Sequence, residues 1–357
     1  MRVARDRVRA AWNTFWFRPE PTSTIAVVRI VFGFVATLWT LSQVPALLTF
    51  FGPDGVVPAV PDLGIGDWTL LSVSTSAPVV VGLWVATLLG AVGLTIGFRT
   101  RLATIVLFVG VVSFARRDPY ILNAGDMLLR TLAFYFIFSP AGEALSLDRW
   151  RRARETFWEF PLRAPWVLRL MQVQLSVIYL STVWEKLQGE RWRDGTAVSY
   201  ALRISDVHRL PTPGFLSDSV VLSELMTFGT LLLEISIAIF VWNRRLRPWV
   251  LALGVSLHLS IELSMMVGFF SVLMLTTYLA FLPPETARDL ALRVRARLRR
   301  GRDDSPSAGS SHAASGRRRV ASERADAGPR PRVRELSRAL VRGRSVGTAS
   351  RTRGRAR

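Results

Sequence analysis

The chain uses one chemically versatile residue type at a single position. Lys186 is the only lysine among 46 basic residues, so every other basic side chain is an arginine. Arginine stays charged in proteins, whereas burial can leave a lysine uncharged near neutral pH and able to accept a proton. A lysine at the end of an apolar helix can also simply extend its ammonium group to lipid headgroups. The residue alone leaves both interpretations open, a general base and an interfacial anchor.

Two further ionisable groups, Glu234 and His258, lie within apolar runs. Such groups are expensive in a membrane, so each one is a functional-site hypothesis. Glu234 interrupts a run of leucines and isoleucines, where an unpaired carboxylate is expected to be protonated. His258 has Glu262 one helical turn away. A lone histidine in a span more often packs with a hydrogen bond than catalyses, but a nearby carboxylate and a lysine elsewhere in the bundle favour a site.

A third group of polar residues, Asn123, Asp126 and Arg130, falls on one face of a predicted helix. Asp126 and Arg130 are four residues apart, a spacing at which an ion pair can form. The pair could serve a site or only hold helices together. Arg29, near the start of the first apolar run, is interpreted as structural, with a side chain that could reach the interface. One membrane histidine and scattered carboxylates do not supply a ligand set, so no metal site is predicted.

The elements that must position these residues are long apolar segments. Eight can be distinguished, at about 25–48, 78–97, 100–116, 124–139, 164–184, 219–242, 246–264 and 266–283. Most approach the ~20 residues that cross a hydrocarbon core, and in lipid such segments must be helices. The sequence therefore predicts an all-α fold, a polytopic integral membrane helical bundle with about eight transmembrane helices.

Charge placement predicts the orientation of this bundle. Arginines cluster before the first segment and in alternate connections, such as 149–154 and 244–247. All charged residues of the connection 45–77 are acidic. The positive-inside bias then places both termini in the cytoplasm, in an inner (plasma) membrane protein. The absence of cysteine excludes disulfides and thiol catalysis.

The net charge of +20 belongs mainly to the end of the chain, where residues 286–357 contain 21 arginines and six acidic residues. The basic excess therefore does not make the body a specific nucleic-acid binder. The predicted organisation is a basic N-terminal segment (1–21), a transmembrane domain (22–285), a basic amphipathic helix (286–300) and a disordered Arg-rich tail (301–357). The tail could contact anionic lipid headgroups.

Two connections on the predicted outer side show local order. The stretch 51–58 combines turn residues with an apolar pair and is expected to fold against the outer face. The stretch from Asp194 to Ile204 reads as a short helix, with Asp194 as a candidate N-cap. This helix would lie at the interface just after Lys186.

The segment around the lysine, Val183-Trp-Glu-Lys-Leu-Gln-Gly-Glu-Arg-Trp-Arg-Asp-Gly195, resembles a known family. It is similar to the HTTM (horizontally transferred transmembrane) domain proteins, the bacterial relatives of vitamin K-dependent gamma-glutamyl carboxylase. The resemblance covers about residues 22–285. The stretches around His258, leading into Gly268-Phe269, around Glu234, and Asn123-Ala-Gly-Asp126 are similar to the same family.

The resemblance implies that Lys186 is the base that deprotonates a reduced quinone, of the vitamin K hydroquinone or menaquinol type. Trp192 would line the ring site. His258 and Asp126 would assist catalysis, and Asn123, Arg130, Glu234 and Glu262 would complete the substrate site. The carboxylases carry a histidine beside their asparagine and a large outer domain after the membrane body, and both are absent from this sequence. These departures weigh against peptide gamma-carboxylation.

Two functional hypotheses from different classes follow. In one, the protein is a membrane enzyme that acts on a reduced quinone or another lipidic small molecule, with Lys186 as general base. In the other, it is a non-catalytic multi-pass membrane protein with a transport, immunity or assembly role. The bilayer is the expected partner in both.

Overall fold

The chain folds almost entirely into helices because its apolar runs satisfy their own backbone hydrogen bonds. The computed structural model describes residues 1–57, 68–121 and 123–303. The α-helices are α1 (Arg2–Phe17), α2 (Ser23–Ser42), α3 (Leu47–Phe51), α4 (Ala77–Ile96), α5 (Thr100–Arg117), α6 (Ala124–Ile137), α7 (Leu147–Arg152), α8 (Trp166–Gln188), α9 (Glu190–Arg193), α10 (Ala197–Ala201), α11 (Gly214–Asp218), α12 (Val220–Phe240), α13 (Arg247–Ser264), α14 (Phe270–Tyr278) and α15 (Pro284–Asp303).

Short 3₁₀ turns and one small ladder connect these helices. The 3₁₀ segments are Val44–Ala46, Leu70–Ser72, Pro119–Ile121, Ala141–Glu143, Ser205–Val207 and Leu279–Phe281. Two strands of two residues each, β1 (Glu20–Pro21) and β2 (Leu162–Arg163), pair in antiparallel fashion. The sequence did not predict this ladder, which joins the start of α2 to the start of α8.

The long helices form two groups, and the short helix α14 contacts both of them. In the first, α4 packs against α2 and α5, and α5 packs against α6; in the second, α12 packs against α8 and α13. The short helix α14 touches α2 and α6 on one side and α8 and α13 on the other. Residues at the ends of α6, α8 and α13 can therefore approach one another around α14.

The core is apolar and closely packed, and the outside of the bundle is apolar as well. Inside, the rings of Phe32 and Phe136 stack with centroids 5.1 Å apart. Outside, Phe34, Leu89 and Leu232 are each more than half exposed. A helix that is apolar on both its inner and outer faces is suited to lipid rather than to water.

All eight predicted apolar segments are helical in the structure. Within the described residues, four helices are long and apolar enough to cross a membrane, namely Ser23–Phe51, Ala77–Ile96, Trp166–Gln188 and Val220–Phe240. The shorter apolar helix Phe270–Phe281 corresponds to the last predicted span. The prediction of an all-α membrane bundle is confirmed, whereas the count of eight crossings stays a prediction.

The connections that follow α2, α5, α8 and α13 meet at one end of the bundle. Phe51 packs against Phe114 with ring centroids 4.8 Å apart, and His208 forms an isolated bridge with Met265. Of the stretch predicted to pack on this end, Phe51 and Gly52 are buried, whereas Val56 is 67% exposed and residue 58 lies outside the described part. We call this end the outer end, after the orientation that the charges predict.

At the opposite end, Arg29 is completely buried. Its guanidinium donates to the backbone carbonyls of Ala141, at 3.3 Å, and Leu145, at 2.6 Å. Leu145 has a positive φ of 48°, which turns its carbonyl region toward the arginine. The structural interpretation of Arg29 agrees with these contacts, but its side chain does not reach the interface, because the loop before α7 encloses it.

Three predicted segment boundaries differ from the structure. The stretch 194–204 holds only the five-residue helix α10, and the Asp194 carboxylate accepts from Thr196 N ahead of it, at 3.0 Å. The basic segment 1–21 contains the helix α1. The predicted amphipathic helix 286–300 runs from Pro284 to Asp303, so it takes in the first three residues of the predicted tail. Residues 304–357 of that tail lie outside the described residues.

Candidate functional site

An ion pair between Lys186 and Glu234 joins α8 to α12 at the outer half of the bundle. The Glu234 side chain is only 8% exposed and that of Lys186 is 23% exposed. The ammonium also lies over the indole of Trp192, 4.7 Å from the ring centroid. Cations are attracted to an aromatic face, most strongly where water is scarce. Lys186 is thus held by one carboxylate and one aromatic ring.

The chain places Trp192 over the lysine by a sharp turn after α8. That helix ends at Gln188, and α9 begins two residues later at Glu190. The turn is tied to α12, because Ser223 Oγ donates to the Gly195 carbonyl at 2.8 Å. Gly195 has a φ of +78°, a region that favours glycine. The residues that follow α8 are therefore fixed against the helix that carries Glu234.

Deeper in the bundle, Tyr179 links two other helices. Its hydroxyl is 2.9 Å from His258 Nε2 and also hydrogen bonds to the hydroxyl of Tyr278. Tyr179, on α8, lies two turns before Lys186, and all three side chains of this cluster are buried. The Lys186–Glu234 pair and the Tyr179–His258–Tyr278 cluster lie close enough for their charges to interact. We refer to these five residues as the lysine cluster.

Two atoms of the lysine cluster are buried without a hydrogen-bond partner among the described residues. They are Glu234 Oε2 and His258 Nδ1. Buried polar atoms in folded proteins are nearly always satisfied by protein, water or ligand. Two open positions in one cluster therefore identify places where a polar atom of a small molecule would be stabilised.

Asp126 and Asn123 begin α6 and have different partners. Asn123 Oδ1 accepts from the backbone of Gly125 at 2.7 Å, and Asp126 Oδ2 accepts from the backbone of Asn123 at 3.1 Å, so together they form a capping box. Asp126 Oδ1 also accepts from the indole of Trp39 at 2.7 Å. Among the described residues, no contact joins Asp126 to Lys186, so its assignment to the same catalytic group stays a prediction.

The start of α6 nevertheless touches the wall of the lysine cluster. A Cβ atom at Gly125 would lie 2.8 Å from the backbone nitrogen of Phe270, so glycine is needed for this approach. Phe270 in turn meets the ring of His258 edge-on, with centroids 5.7 Å apart. Gly125, in the first turn of α6, and His258 are therefore separated by a single aromatic residue.

Two pairs that helical spacing allows, Asp126 with Arg130 and His258 with Glu262, are not present among the described residues. Arg130 does not reach Asp126, whose oxygens accept from Trp39 and Asn123; it lines a separate outward-facing cavity with Trp68 and Tyr135. Glu262 bonds to Arg209 at 2.6 Å rather than to His258. Arg130 and Glu262 thus lie outside the lysine cluster, in the part of the chain that the structure describes.

The sequence did not single out Tyr179, Tyr278 or Trp39. Each lies in an apolar helix or at its end and looked like an ordinary membrane aromatic. The available signal was that tyrosine and tryptophan carry a polar atom that must find a partner when buried. Within the described residues, no group of three or more histidine and carboxylate side chains could hold a metal ion.

Cavities at the outer end lie beside α2 rather than beside the lysine. One of them, about 200 Å³ and partly open, lies between Trp39, Phe51, Phe114 and Asp126. Lys186 lines neither this cavity nor the cavities beside Pro140 and beside Arg130. Its nearest partners are Glu234 and Trp192, and the enclosed site predicted around it stays a prediction.

Comparison with known proteins assigns the family. No solved structure matches the chain. The family model for the HTTM domain matches residues 17–285, which covers α2 to α14 and therefore the lysine cluster and the start of α6. The protein is a membrane protein of the carboxylase-related type, and it belongs to the HTTM domain family.

Proposed function

We propose that the lysine cluster binds a lipidic molecule with a weakly acidic hydroxyl group and accepts its proton. A reduced quinone of the menaquinol or vitamin K hydroquinone type would supply such a hydroxyl on an apolar ring. The observation that carries the proposal is the contact of Lys186 with Glu234, next to two buried polar atoms without partners.

The proton balance follows from treating Lys186 and Glu234 as one unit. In its neutral charge state the pair holds one proton, either as ammonium with carboxylate or as amine with carboxylic acid. When a second proton arrives from the ligand, its O–H bond breaks and the pair becomes an ammonium beside a carboxylic acid. The positive charge left on Lys186 then stabilises the oxyanion that remains.

The surrounding residues have supporting roles in this proposal. Trp192 holds the ammonium over its ring and limits its rotamers. Tyr179 and His258 connect the pair to the interior of the bundle through hydroxyl and imidazole groups that can relay a proton. His258 is thus a positioning and relay residue, and its open Nδ1 is a second contact for the ligand.

The deprotonated quinol can pass two electrons to dissolved oxygen, which gives the quinone and hydrogen peroxide. The test is therefore the loss of menaquinol with the protein reconstituted in liposomes, measured as quinol absorbance and oxygen uptake. We expect Lys186→Arg to lower the rate at least 100-fold, the scale of a lost general base, while the protein remains folded. Glu190→Gln changes an exposed carboxylate at the start of α9, four residues after Lys186. It is the matched control and should retain the rate. Full activity of the Lys186→Arg protein would contradict the proposal.

One observation favours the second candidate function, a non-catalytic membrane protein. Lys186 bridges two helices and does not line the described cavities, as expected of a residue that only joins α8 to α12. Under that function the wild-type protein would not consume menaquinol, and Lys186→Arg would change only the melting temperature.

For localisation we propose a multi-pass protein of the inner (plasma) membrane with both termini in the cytoplasm. The chain lacks cysteine, so single cysteines report topology without background. Asp54→Cys should react with a membrane-impermeant maleimide on intact cells, and Arg244→Cys should react only after lysis. The opposite pattern would invert the orientation.

A further inference from the structure

The cavity between Trp39, Phe51, Phe114 and Asp126 is lined by residues that do not belong to the lysine cluster. Its volume is about 200 Å³, below the ~300–1,000 Å³ typical of sites for drug-sized ligands. Four aromatic rings line it, those of Trp39, Phe50, Phe51 and Phe114. The cavity therefore has room for a small group and offers it several aromatic faces.

Apart from the amide NH₂ of Gln43, the open polar atoms on this wall are acceptors, because Ser42 Oγ already donates to the Trp39 carbonyl at 2.8 Å. Asp118 is only 1% exposed, and its Oδ1 accepts from the backbone of Tyr120 at 3.1 Å. Its other oxygen accepts from no residue that the structure describes. Gln43 Oε1 is buried and also lacks a donor among the described residues. The one indole donor, of Trp39, is already bonded to Asp126.

The charge around the cavity is negative. Asp118 and Asp126 line it, and the wall contains no lysine or arginine among the described residues. Arg117, buried behind Asp118, donates to the Gly52 carbonyl at 3.0 Å and offsets one of the two carboxylates. Asp126 accepts only from neutral groups, the indole of Trp39 and the backbone of Asn123. One negative charge is left without a cationic partner in the described part of the chain.

We propose that this cavity binds a small primary ammonium group, R–NH₃⁺, carried on an apolar body. An ammonium group has three N–H donors and no acceptor, which matches a wall with open acceptors on Asp118 and Gln43 and a further negative charge on Asp126. The aromatic faces add cation–π attraction. A calcium ion would need six to eight oxygen ligands, and two carboxylates among aromatic rings do not provide them. The site is separate from the lysine cluster and does not depend on the function proposed for it.

Two sources could present this group, the ethanolamine headgroup of a lipid and a free amine. The first arm of the test is calorimetric titration of the detergent-purified protein with phenethylammonium. Its neutral analogue, phenethyl alcohol, is titrated in parallel, and so is phenyltrimethylammonium, which has no N–H donor. We expect saturable binding of the primary ammonium that is at least tenfold tighter than that of both analogues.

Two variants locate the site. Asp118→Asn and Gln43→Leu should each weaken phenethylammonium binding at least fivefold, because each removes an acceptor from the cavity wall. Asp206→Asn, a change of an exposed carboxylate in another outer connection, is the matched control and should bind as the wild type does. Equal binding of the amine and the alcohol, equal binding by all three variants, or no saturable binding in any arm would overturn the proposal.

The second arm distinguishes the sources. The protein in nanodiscs of phosphatidylglycerol is compared with the protein in nanodiscs that also contain phosphatidylethanolamine. Competition by the ethanolamine lipid against phenethylammonium, lost in Asp118→Asn, would identify a lipid headgroup as the occupant. Undiminished phenethylammonium binding in both discs would identify a free amine. Phenethylammonium binding that is as tight in Asp118→Asn as in the wild type would mean that the cavity is not the binding site.

Discussion

Arg29 and Lys186 are both cations within the helical bundle, yet they are held in different ways. Arg29 is 0% exposed and bonds to two backbone carbonyls, which cannot take up a proton from it. Lys186 is partly exposed and pairs with a carboxylate, which can. A guanidinium keeps its charge, whereas an ammonium–carboxylate pair can exchange protons with a third group. Under the proposed function, the partner, more than the depth of burial, separates the structural cation Arg29 from the reactive cation Lys186.

The largest effect is expected from removing the structural cation. Arg29→Leu leaves the carbonyls of Ala141 and Leu145 without their donors in a closed loop, which should lower the free energy of unfolding by about 3 kcal/mol. Chemical denaturation in detergent measures this change. Arg130→Leu, at a cavity wall, should shift it by no more than about 0.5 kcal/mol. Equal losses in the two variants would show that the Arg29 contacts contribute no special stability.

The next largest effect is expected from separating Lys186 and Glu234. Glu234→Leu leaves the ammonium of Lys186 without its carboxylate and should destabilise the fold by about 2 kcal/mol, whereas the double change with Lys186→Met should restore most of that loss. The double-mutant cycle in the same denaturation assay gives the coupling energy. Additive losses would mean that the two side chains do not act as a pair.

A third change acts on the tyrosines that connect the pair to His258. A Cβ atom at Gly254 would collide with the hydroxyl of Tyr278. Gly254→Ala should therefore shift Tyr278 away from Tyr179 and cost about 1.5 kcal/mol through overpacking. The melting temperature reports the loss. Gly229→Ala, where a Cβ atom meets open space, is the control and should not lower it.

The smallest expected effect is on the pH dependence of stability, and it comes from Asp148, a carboxylate near Arg29. Burial by itself raises the pKa of Asp148, but hydrogen bonds from Thr100 and from the backbone of Arg99, with the charge of Arg152, bring it below its ordinary value of 3.8. A carboxylate whose pKa is lower in the folded state stabilises the fold above its unfolded pKa and loses that contribution as the pH falls through its folded pKa.

The wild-type protein should therefore lose stability as the pH falls below about 4, more steeply than Asp148→Asn. Melting curves at a series of acidic pH values compare the two proteins. Parallel curves would show that Asp148 contributes nothing to the acid sensitivity.

The helices could be predicted from the sequence, but the partners of the polar residues could not. Each apolar run had to be a helix in lipid, and all eight predicted segments are helical. The partners that helical spacing allows for Asp126 and His258 lie four residues away, and neither contact is present among the described residues. Local pairs on a helix contribute only about 0.2–0.5 kcal/mol, so buried partners on other helices, Trp39 and Tyr179, prevail.

The sequence placed Lys186 and Glu234 in one site, but it could not decide which charged residue of that site contacts the lysine. The two residues are 48 positions apart on helices whose relative rotation depends on the packing of the whole bundle. The sequence did identify each of them as unusual, because a charge within an apolar run needs a partner. The type of residue was therefore predictable, and the contact was not.

The central claim, that Lys186 and Glu234 accept a ligand proton as one unit, can be observed without an activity assay. Infrared difference spectra of the reconstituted protein, recorded before and after anaerobic addition of menaquinol, report the protonation of carboxylates. We expect a new carboxylic-acid carbonyl band that is absent from Glu234→Gln and still present in Glu190→Gln. A spectrum without this band, or the same band in the Glu234→Gln protein, would contradict the claim.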